Sequence, residues 1–489
     1  MIYTNRKTKI VCTIGPSSES PEMLAELMRA GMNVARLNFS HGTHQDHAQR
    51  IQTIRRVAQE LDAPIAILQD LQGPKIRVGL LPNGPVELIE GNTFAITTED
   101  VDGSNDRVST DHKGIVNDVQ VGKHILLDDG NLKLVVTDVT QTDVITKVLV
   151  GGVLKQRKGI NLPGVTVSIP ALTEKDKRDL VFGLENGVDY VAVSFVQRPE
   201  DIALVREVMR SANPAKEKTP VIAKLEKPNA IENLEAILEV VEGVMVARGD
   251  LGVELSPEKV PSAQKHIIQR ANETGKIVIT ATQMLESMKD NPMPTRAEAS
   301  DVANAIFDGT DAVMLSAETA SGSYPIETVK MMAAIAEEAE RHTQAWSHQA
   351  DPNDKNLRPT ILSLSRAARE MASSLHVKAI AIFSRSGNSA RIIAKHRPDV
   401  PVITMTPYEE TYRRMALVWG VKPFKVARAF SIEEMTWSLE RVMANVPNTS
   451  KGDQVVVMGG LPVSRMGSAN FILLHRIGEN QSVDSIHVD

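Results

Sequence analysis

Eight short runs of Val, Ile and Ala, at 10–13, 34–37, 65–68, 190–193, 221–223, 244–247, 277–280 and 312–315, punctuate the chain. Each is apolar at consecutive rather than alternate positions, so each reads as a strand covered on both faces, the habit of a parallel sheet. Stretches with helical spacing fall between them, at 21–30, 45–61, 174–185, 230–241, 261–274 and 296–307. Strand then helix, repeated eight times, predicts a (β/α)8 TIM barrel.

One interval breaks the rhythm. About a hundred residues separate the third run from the helix at Glu174, far more than a connecting loop needs. From Val78 to Val167 short Val, Ile, Leu and Thr runs are broken by Asn83-Gly84, Asp129-Gly130 and Gly151-Gly152. That is the pattern of a small antiparallel β unit, expected as an inserted β-barrel lid. Gly73-Pro74 and Leu162-Pro163-Gly164 flank it as candidate hinges or ordinary turns. After Arg341 the chain is polar through 351–356, a candidate linker, and resumes with runs at 377–384, 402–406 and 454–458. The expected organisation is a barrel from 1–71 and 169–343, a lid at 72–168 and a C-terminal α/β domain at 344–489.

A chain of 489 residues suits about three domains. With 55 Lys and Arg against 61 Asp and Glu, and only 3% aromatics, it lacks the basic face and stacking platforms of a nucleic-acid binder. Cys12 is the single cysteine, which excludes an internal disulfide framework and suits a reducing compartment. The apolar stretch after Arg6, Lys7 and Lys9 is too short for a signal peptide, and no run approaches the ~18 residues of a membrane span. A cytoplasmic protein with no membrane partner is expected.

In such barrels chemistry gathers at the carboxyl ends of the strands. Those positions carry Arg36, Asn38 and Ser40 after the second run, Asp70 after the third, Lys224 and Glu226 after the fifth, Arg248 and Asp250 after the sixth, Thr282 and Gln283 after the seventh, and Ser316 and Glu318 after the eighth. Singly, a charge beside a strand is more often a solvated loop residue or a satisfied ion pair. Six strand ends together point to one mouth. Glu226 and Asp250, on successive strands, suit Mg²⁺ or Mn²⁺ completed by water and substrate oxygens; their alternative is pairing with Lys224, Lys227 and Arg248. A divalent ion beside Arg36 and Lys224 exceeds what two carboxylates need, and the surplus implies a phosphorylated substrate. Gly249-Asp250 is expected to open a loop. Gly275-Lys276 is followed by Ile277 and lacks the upstream glycine, so there is no P-loop, and no protein-kinase glycine loop is present.

The segments Arg36-Leu-Asn-Phe-Ser-His-Gly42, Ala223-Lys-Leu-Glu226, Met245-Val-Ala-Arg-Gly-Asp-Leu-Gly252, Ala281-Thr-Gln-Met-Leu-Glu-Ser-Met288, Asn291-Pro-Met-Pro-Thr-Arg296 and Met314-Leu-Ser-Ala-Glu-Thr319 together resemble pyruvate kinase, over nearly the whole chain. The resemblance implies transfer of a phosphoryl group from phosphoenolpyruvate to ADP, giving pyruvate and ATP. It implies a metal held by Glu226 and Asp250, and neutralisation of the transferring group by Lys224 and Arg36. Thr282 and the amides near Gly249 and Asp250 are implied to hold the substrate carboxylate. The resemblance also implies that Thr282, directly or through water and with Ser316 and Glu318, lies where a proton reaches the enolate carbon, the immediate donor being left open. Asn38, Ser40, His41, Arg77 and Lys175 match positions on the nucleotide side, and a homotetramer follows by analogy. A metal-dependent 2-oxo acid lyase or aldolase is the alternative, but it leaves the lid without a task.

Two departures from the family pattern matter. Members that require K⁺ carry Asp-Thr-Lys-Gly-Pro-Glu at the third strand end, whereas here the text is Asp70-Leu-Gln-Gly-Pro-Lys75. Leu71 cannot ligate a cation and Lys75 brings a fixed ammonium, so Lys75 is expected to replace K⁺. In the C-terminal domain Ser384-Arg-Ser-Gly-Asn-Ser389 joins a strand to a helix and resembles the family's effector-phosphate loop: Ser384, Arg385, Ser386, Gly387, Asn388 and Ser389. The loop at 459–467 lacks the Trp-Arg of members responsive to fructose bisphosphate, which leaves a sugar monophosphate and a nucleotide monophosphate as equal candidates.

Overall fold

The computed structural model describes residues 5–165, 167–342, 359–463 and 469–479. The eight runs are strands: β1 Lys9–Thr13, β2 Val34–Asn38, β3 Ala66–Asp70, β4 Tyr190–Val193, β5 Val221–Leu225, β6 Gly243–Ala247, β7 Ile277–Ala281 and β8 Ala312–Leu315. Each pairs in parallel with the next and β8 returns to β1, closing the TIM barrel. Val11, Val34, Ala66, Leu68, Ile222 and Met245 are among the side chains buried in one cluster on the strands, while a larger cluster lies between strands and helices. That double burial is why the runs lack alternation. β3 and β5 run two residues beyond their apolar stretches, through Gln69-Asp70 and Lys224-Leu225, because the ladder continues where side chains turn polar at the mouth.

Thr-x-x-Asp/Glu signatures start three of the helices. At Thr43, Thr173 and Thr295 the hydroxyl accepts from the third residue's N–H, and that residue's carboxylate accepts from the threonine's own N–H. Two expectations change. The helix read at 230–241 is two pieces, Pro228–Glu232 and Leu234–Val240, split at Asn233. Gly249-Asp250 does not open a loop but lies in the first turn of the helix Arg248–Leu255.

The insertion after β3 is a six-stranded sheet in the order Ile160–Asn161, His124–Leu127, Leu132–Val139, Asp143–Val150, Thr93–Thr97, Arg107–Ser109. All its pairs are antiparallel except the last, which is parallel. Bridges from Arg77 to Gly159 and from Val78 to Thr110 reach both edge strands, so the segment leaving the barrel seals the insertion into a small barrel around its own core. Gly73, at the exit, has φ +70°, and a Cβ there would fall 2.7 Å from the Ser194 Cβ. Only glycine makes that turn without displacing Ser194.

The C-terminal sheet runs Val421–Lys425, Val402–Thr406, Ala379–Phe383, Gln454–Gly459, Phe471–Arg476, the last strand antiparallel. It packs under the amino ends of the barrel strands: Lys9 Nζ donates to the Val421 carbonyl at 2.7 Å, and Tyr190 Oη to that of Arg414 at 2.8 Å. The candidate linker at 351–356 lies outside the described residues, as do residues 464–468 of the late loop.

Candidate active site

The carboxyl ends of β2, β3 and β5 meet in one buried cluster. Lys224 Nζ donates to Ser194 Oγ at 2.7 Å and stands 3.0 Å from Glu226 Oε1 and 3.3 Å from Asp70 Oδ1. Arg36 donates from Nε to Asp70 Oδ2 at 2.7 Å and from Nη1 to Thr13 Oγ1 at 2.8 Å. Asp70 and Glu226 are each 1% exposed. Burial works against the Lys224 ammonium, but Asp70 and Glu226 outweigh it and hold its pKa above the ordinary lysine value. Burial likewise lifts the Asp70 carboxyl, and the charges of Lys224 and Arg36 more than reverse this, leaving it lowered. Glu226 stays raised, by burial first and then by the charge of Asp250, with Lys224 pulling the other way. Thr13 and Ser194 stand at the ends of the first and fourth strands, the two that the charged strand ends leave out; taking the polar side chain at every strand end finds both.

Glu226 also accepts the Phe195 N–H at 2.7 Å, and Asp250 Oδ1 stands 3.6 Å from Lys75 Nζ, which reaches 3.5 Å to Asp129 Oδ1 of the insertion. Lys227 and Arg248 are not their partners: Lys227 faces Glu254 at 3.4 Å and Arg248 faces Asp301 at 2.6 Å. A buried Glu226 carboxylate whose proton affinity the charge of Asp250 raises fits, with Asp250, a hard divalent cation with oxygen ligands. Among the described residues no group of three or more His, Cys, Asp and Glu side chains is set to hold a metal.

On the far side of the mouth the Gly249 N–H donates to Thr282 Oγ1 at 2.8 Å, and that hydroxyl donates to the Ala281 carbonyl at 2.6 Å. Glu318 is fully buried, accepting the Ser316 N–H at 2.6 Å and the Leu285 N–H at 3.3 Å, and burial holds its pKa above the usual value. Asn38 Oδ1 accepts the Ser40 N–H at 3.0 Å, and Lys175 Nζ donates at 2.6 Å both to the Phe39 carbonyl and to Asp179, which sets it against the loop that carries the exposed His41. Arg77 stands apart, in the insertion, with Nη1 on the Arg157 carbonyl at 3.0 Å. Leu71 is 1% exposed, in the core outside the barrel strands.

In the C-terminal unit Gly387 has φ +78° and donates its N–H to Ser384 Oγ at 2.9 Å, opening the helix Asn388–Lys395. Ser384 and Ser389 are buried, whereas Arg385, Ser386 and Asn388 are exposed, with the Arg385 guanidinium over the Tyr408 ring.

A closed parallel barrel with this mouth and this insertion belongs to the class of barrel enzymes whose chemistry lies at the strand ends. A family model described as pyruvate kinase, barrel domain, matches residues 5–329, and one described as pyruvate kinase, alpha/beta domain, matches 363–475. Pyruvate kinases of Staphylococcus aureus strains MRSA252 and USA300 are each 46% identical over 477 residues, 97% of this chain and 81% of theirs. The crystal structure of a pyruvate kinase from Cryptosporidium parvum superposes with a TM-score of 0.90 at 36% identity, over 96% of each chain. The chain belongs to the pyruvate kinase family and is a phosphotransferase of that family, which sets aside the lyase alternative. No helix among the described residues is long and apolar enough to cross a membrane.

Proposed function

We propose that the enzyme moves the phosphoryl group of phosphoenolpyruvate to ADP, giving pyruvate and ATP. The observation that carries the reading is the buried Lys224 ammonium, kept charged by Asp70 and Glu226 beside Arg36. The bond between phosphorus and the enol oxygen breaks, a bond to the terminal ADP oxygen forms, and the enolate takes a proton at carbon. Lys224 and Arg36 hold the oxygens of the transferring group, one as a point charge and the other as a fork. Glu226 and Asp250 would hold Mg²⁺ or Mn²⁺, which when bound neutralises charge on the phosphoryl oxygens. Thr282 and the amides at Gly249 and Asp250 orient the substrate carboxylate, while Ser316 and Glu318 serve the proton's route. Asn38, Ser40, His41 and Lys175 face the nucleotide, and Arg77 joins them from the lid.

In the same reading Lys75, beside Asp250, stands in for K⁺, and the loop Ser384 to Ser389 takes the phosphate of a sugar or nucleotide monophosphate. The three units span 1–71 with 169–343, 72–168 and 344–489, assembled as a cytoplasmic homotetramer. ADP-dependent pyruvate release from phosphoenolpyruvate tests the central claim, and its absence ends it. Full turnover with K⁺ replaced by a bulky quaternary ammonium ion is expected; strict dependence on K⁺ removes the role given to Lys75.

A further inference from the structure

Two adjacent residues at the end of β7, Thr282 and Gln283, have left-handed backbone, at φ 69° and 54°. Side chains with a Cβ disfavour that region, a β-branched threonine most of all. Such conformations persist only where the surroundings over-determine them. Here one guanidinium does so. Arg248 Nη2 donates to the Thr282 carbonyl at 2.7 Å and to the Gln283 carbonyl at 3.3 Å, and Nε donates to the Ala281 carbonyl at 3.3 Å. Its Nη1 is anchored behind by Asp301 at 2.7 Å and Gln264 at 3.4 Å. Arg248 also begins the helix whose first turn carries Gly249 and Asp250. Its backbone therefore presents one half of the proposed carboxylate site while its side chain grips the loop that presents the other, and the Gly249 N–H to Thr282 Oγ1 bond closes the ring.

We propose that Arg248 is a positioning residue that keeps 282–283 left-handed and so sets the Thr282 hydroxyl against the Gly249 amide. This rests on the role given above to Thr282 and those amides. Lysine cannot replace it, because a point charge does not span three successive carbonyls and a carboxylate as a planar fork does.

The test compares wild type, Arg248→Lys, Gln283→Gly and the double variant in steady-state turnover with phosphoenolpyruvate, ADP and Mg²⁺, and in thermal unfolding. Arg248→Lys is expected to lose about 10- to 100-fold in kcat, with a several-fold rise in KM for phosphoenolpyruvate, since misplacement by about 1 Å costs this much. Glycine adopts positive φ freely, so Gln283→Gly alone stays within about twofold and restores kcat about fivefold or more in the Arg248→Lys background. A lysine that only weakened packing gains nothing from that glycine. Wild-type kcat in Arg248→Lys, or losses that simply multiply in the double variant, overturns the proposal. Should Arg248→Lys fail to fold, Asp301→Asn keeps the guanidinium but loosens its anchor, and a kcat about 3- to 10-fold below wild type is expected; an unchanged kcat overturns. If wild type itself releases no pyruvate, the catalytic reading fails, and the unfolding midpoints still decide on Arg248. A midpoint lowered by Arg248→Lys and recovered by Gln283→Gly supports the grip, and additive shifts refute it.

Discussion

Lys224 has three oxygen partners, and each depends on it differently. Asp70 keeps Arg36 when the lysine goes, whereas Glu226 keeps only the Phe195 N–H and the repulsion of Asp250. Breaking a buried ion pair costs about 3–5 kcal/mol when the remaining charge stays ionised. Glu226 escapes much of that by taking a proton, toward which burial already tilts it. Lys224→Met should therefore fold, with a lowered unfolding midpoint, while turnover falls by about 10³- to 10⁵-fold, the scale of a cation that stabilises a migrating phosphoryl group. Near-normal turnover would remove Lys224 from the mechanism. His396 titrates in the opposite sense. Its ring is 1% exposed, Nε2 has no hydrogen-bond partner, and burial, then Arg366 and Arg369, lower its pKa from 6.5 to about 4. Above pH 6.5 neither folded nor unfolded chain holds that proton; between 6.5 and about 4 only the unfolded chain does. Stability is thus lost as pH falls through this window, by at most about 1.4 kcal/mol per pH unit. His396→Gln should flatten this slope, read as the difference in urea midpoint between about pH 7 and about pH 5, and an equal slope in both proteins refutes it.

Among the elements, the turn out of β3 is the one least tolerant of change. Gly73 donates its N–H to Asp176, the capping carboxylate of the helix Glu174–Glu185, and its Cα faces Ser194, the hydroxyl that receives Lys224. Gly73→Ala should lower stability by about 1–3 kcal/mol through positive φ and the clash, and should lower turnover as Ser194 is pushed away; an unchanged melting temperature and kcat would show that the turn relaxes freely. The strands themselves are legible because both faces are buried, yet an apolar criterion ends β3 and β5 short of Asp70 and Lys224, where the polar side chains of the mouth begin. The helix starts read from spacing at 174 and 296 match the structure, and the one read at 45 lies one residue after its start at His44. Asn233 splits a helix that the spacing of Ala230, Leu234, Ile237 and Leu238 reads as continuous. Nothing local marks the parallel pairing of Thr93–Thr97 with Arg107–Ser109, which depends on the closure of the whole insertion. The strand Val421–Lys425 hides behind Lys422, Pro423 and Lys425. At the mouth the charged residues were readable one by one, but which of them touch was not. The reach of Arg248 to Asp301, or of Arg36 to Thr13, joins elements distant in sequence.

Across the molecule, the helix Asn388–Lys395 joins the proposed effector loop to the base of the barrel. Eight residues span about 12 Å. One end is Gly387 and Ser384; at the other, Lys395 pairs with Asp311, both 1% exposed, and donates to Asn272 Oδ1 at 2.9 Å. Asp311 immediately precedes β8, which leads to Ser316 and Glu318, and it accepts the Val278 N–H at 2.8 Å. A shift of this helix, of the kind the proposed phosphate site would produce, would thus bear directly on two strands whose far ends form the mouth. Such a path is physical only if its removal changes the coupling between the sites. Burial lowers the Lys395 pKa to about 8 even beside Asp311, so the ammonium sits there at a cost that packing around it sustains. Lys395→Met leaves Asp311 with Arg397 at 3.2 Å and the Val278 amide, so the variant should fold and keep basal turnover within a few-fold. In wild type, ribose 5-phosphate or AMP should shift half-saturation by phosphoenolpyruvate by about 5- to 150-fold, the usual range of coupling. In Lys395→Met that shift should vanish while calorimetry still detects binding of the same phosphate. An undiminished shift would exclude the helix as the link, and loss of binding together with the shift would place the effect in the loop rather than at the barrel.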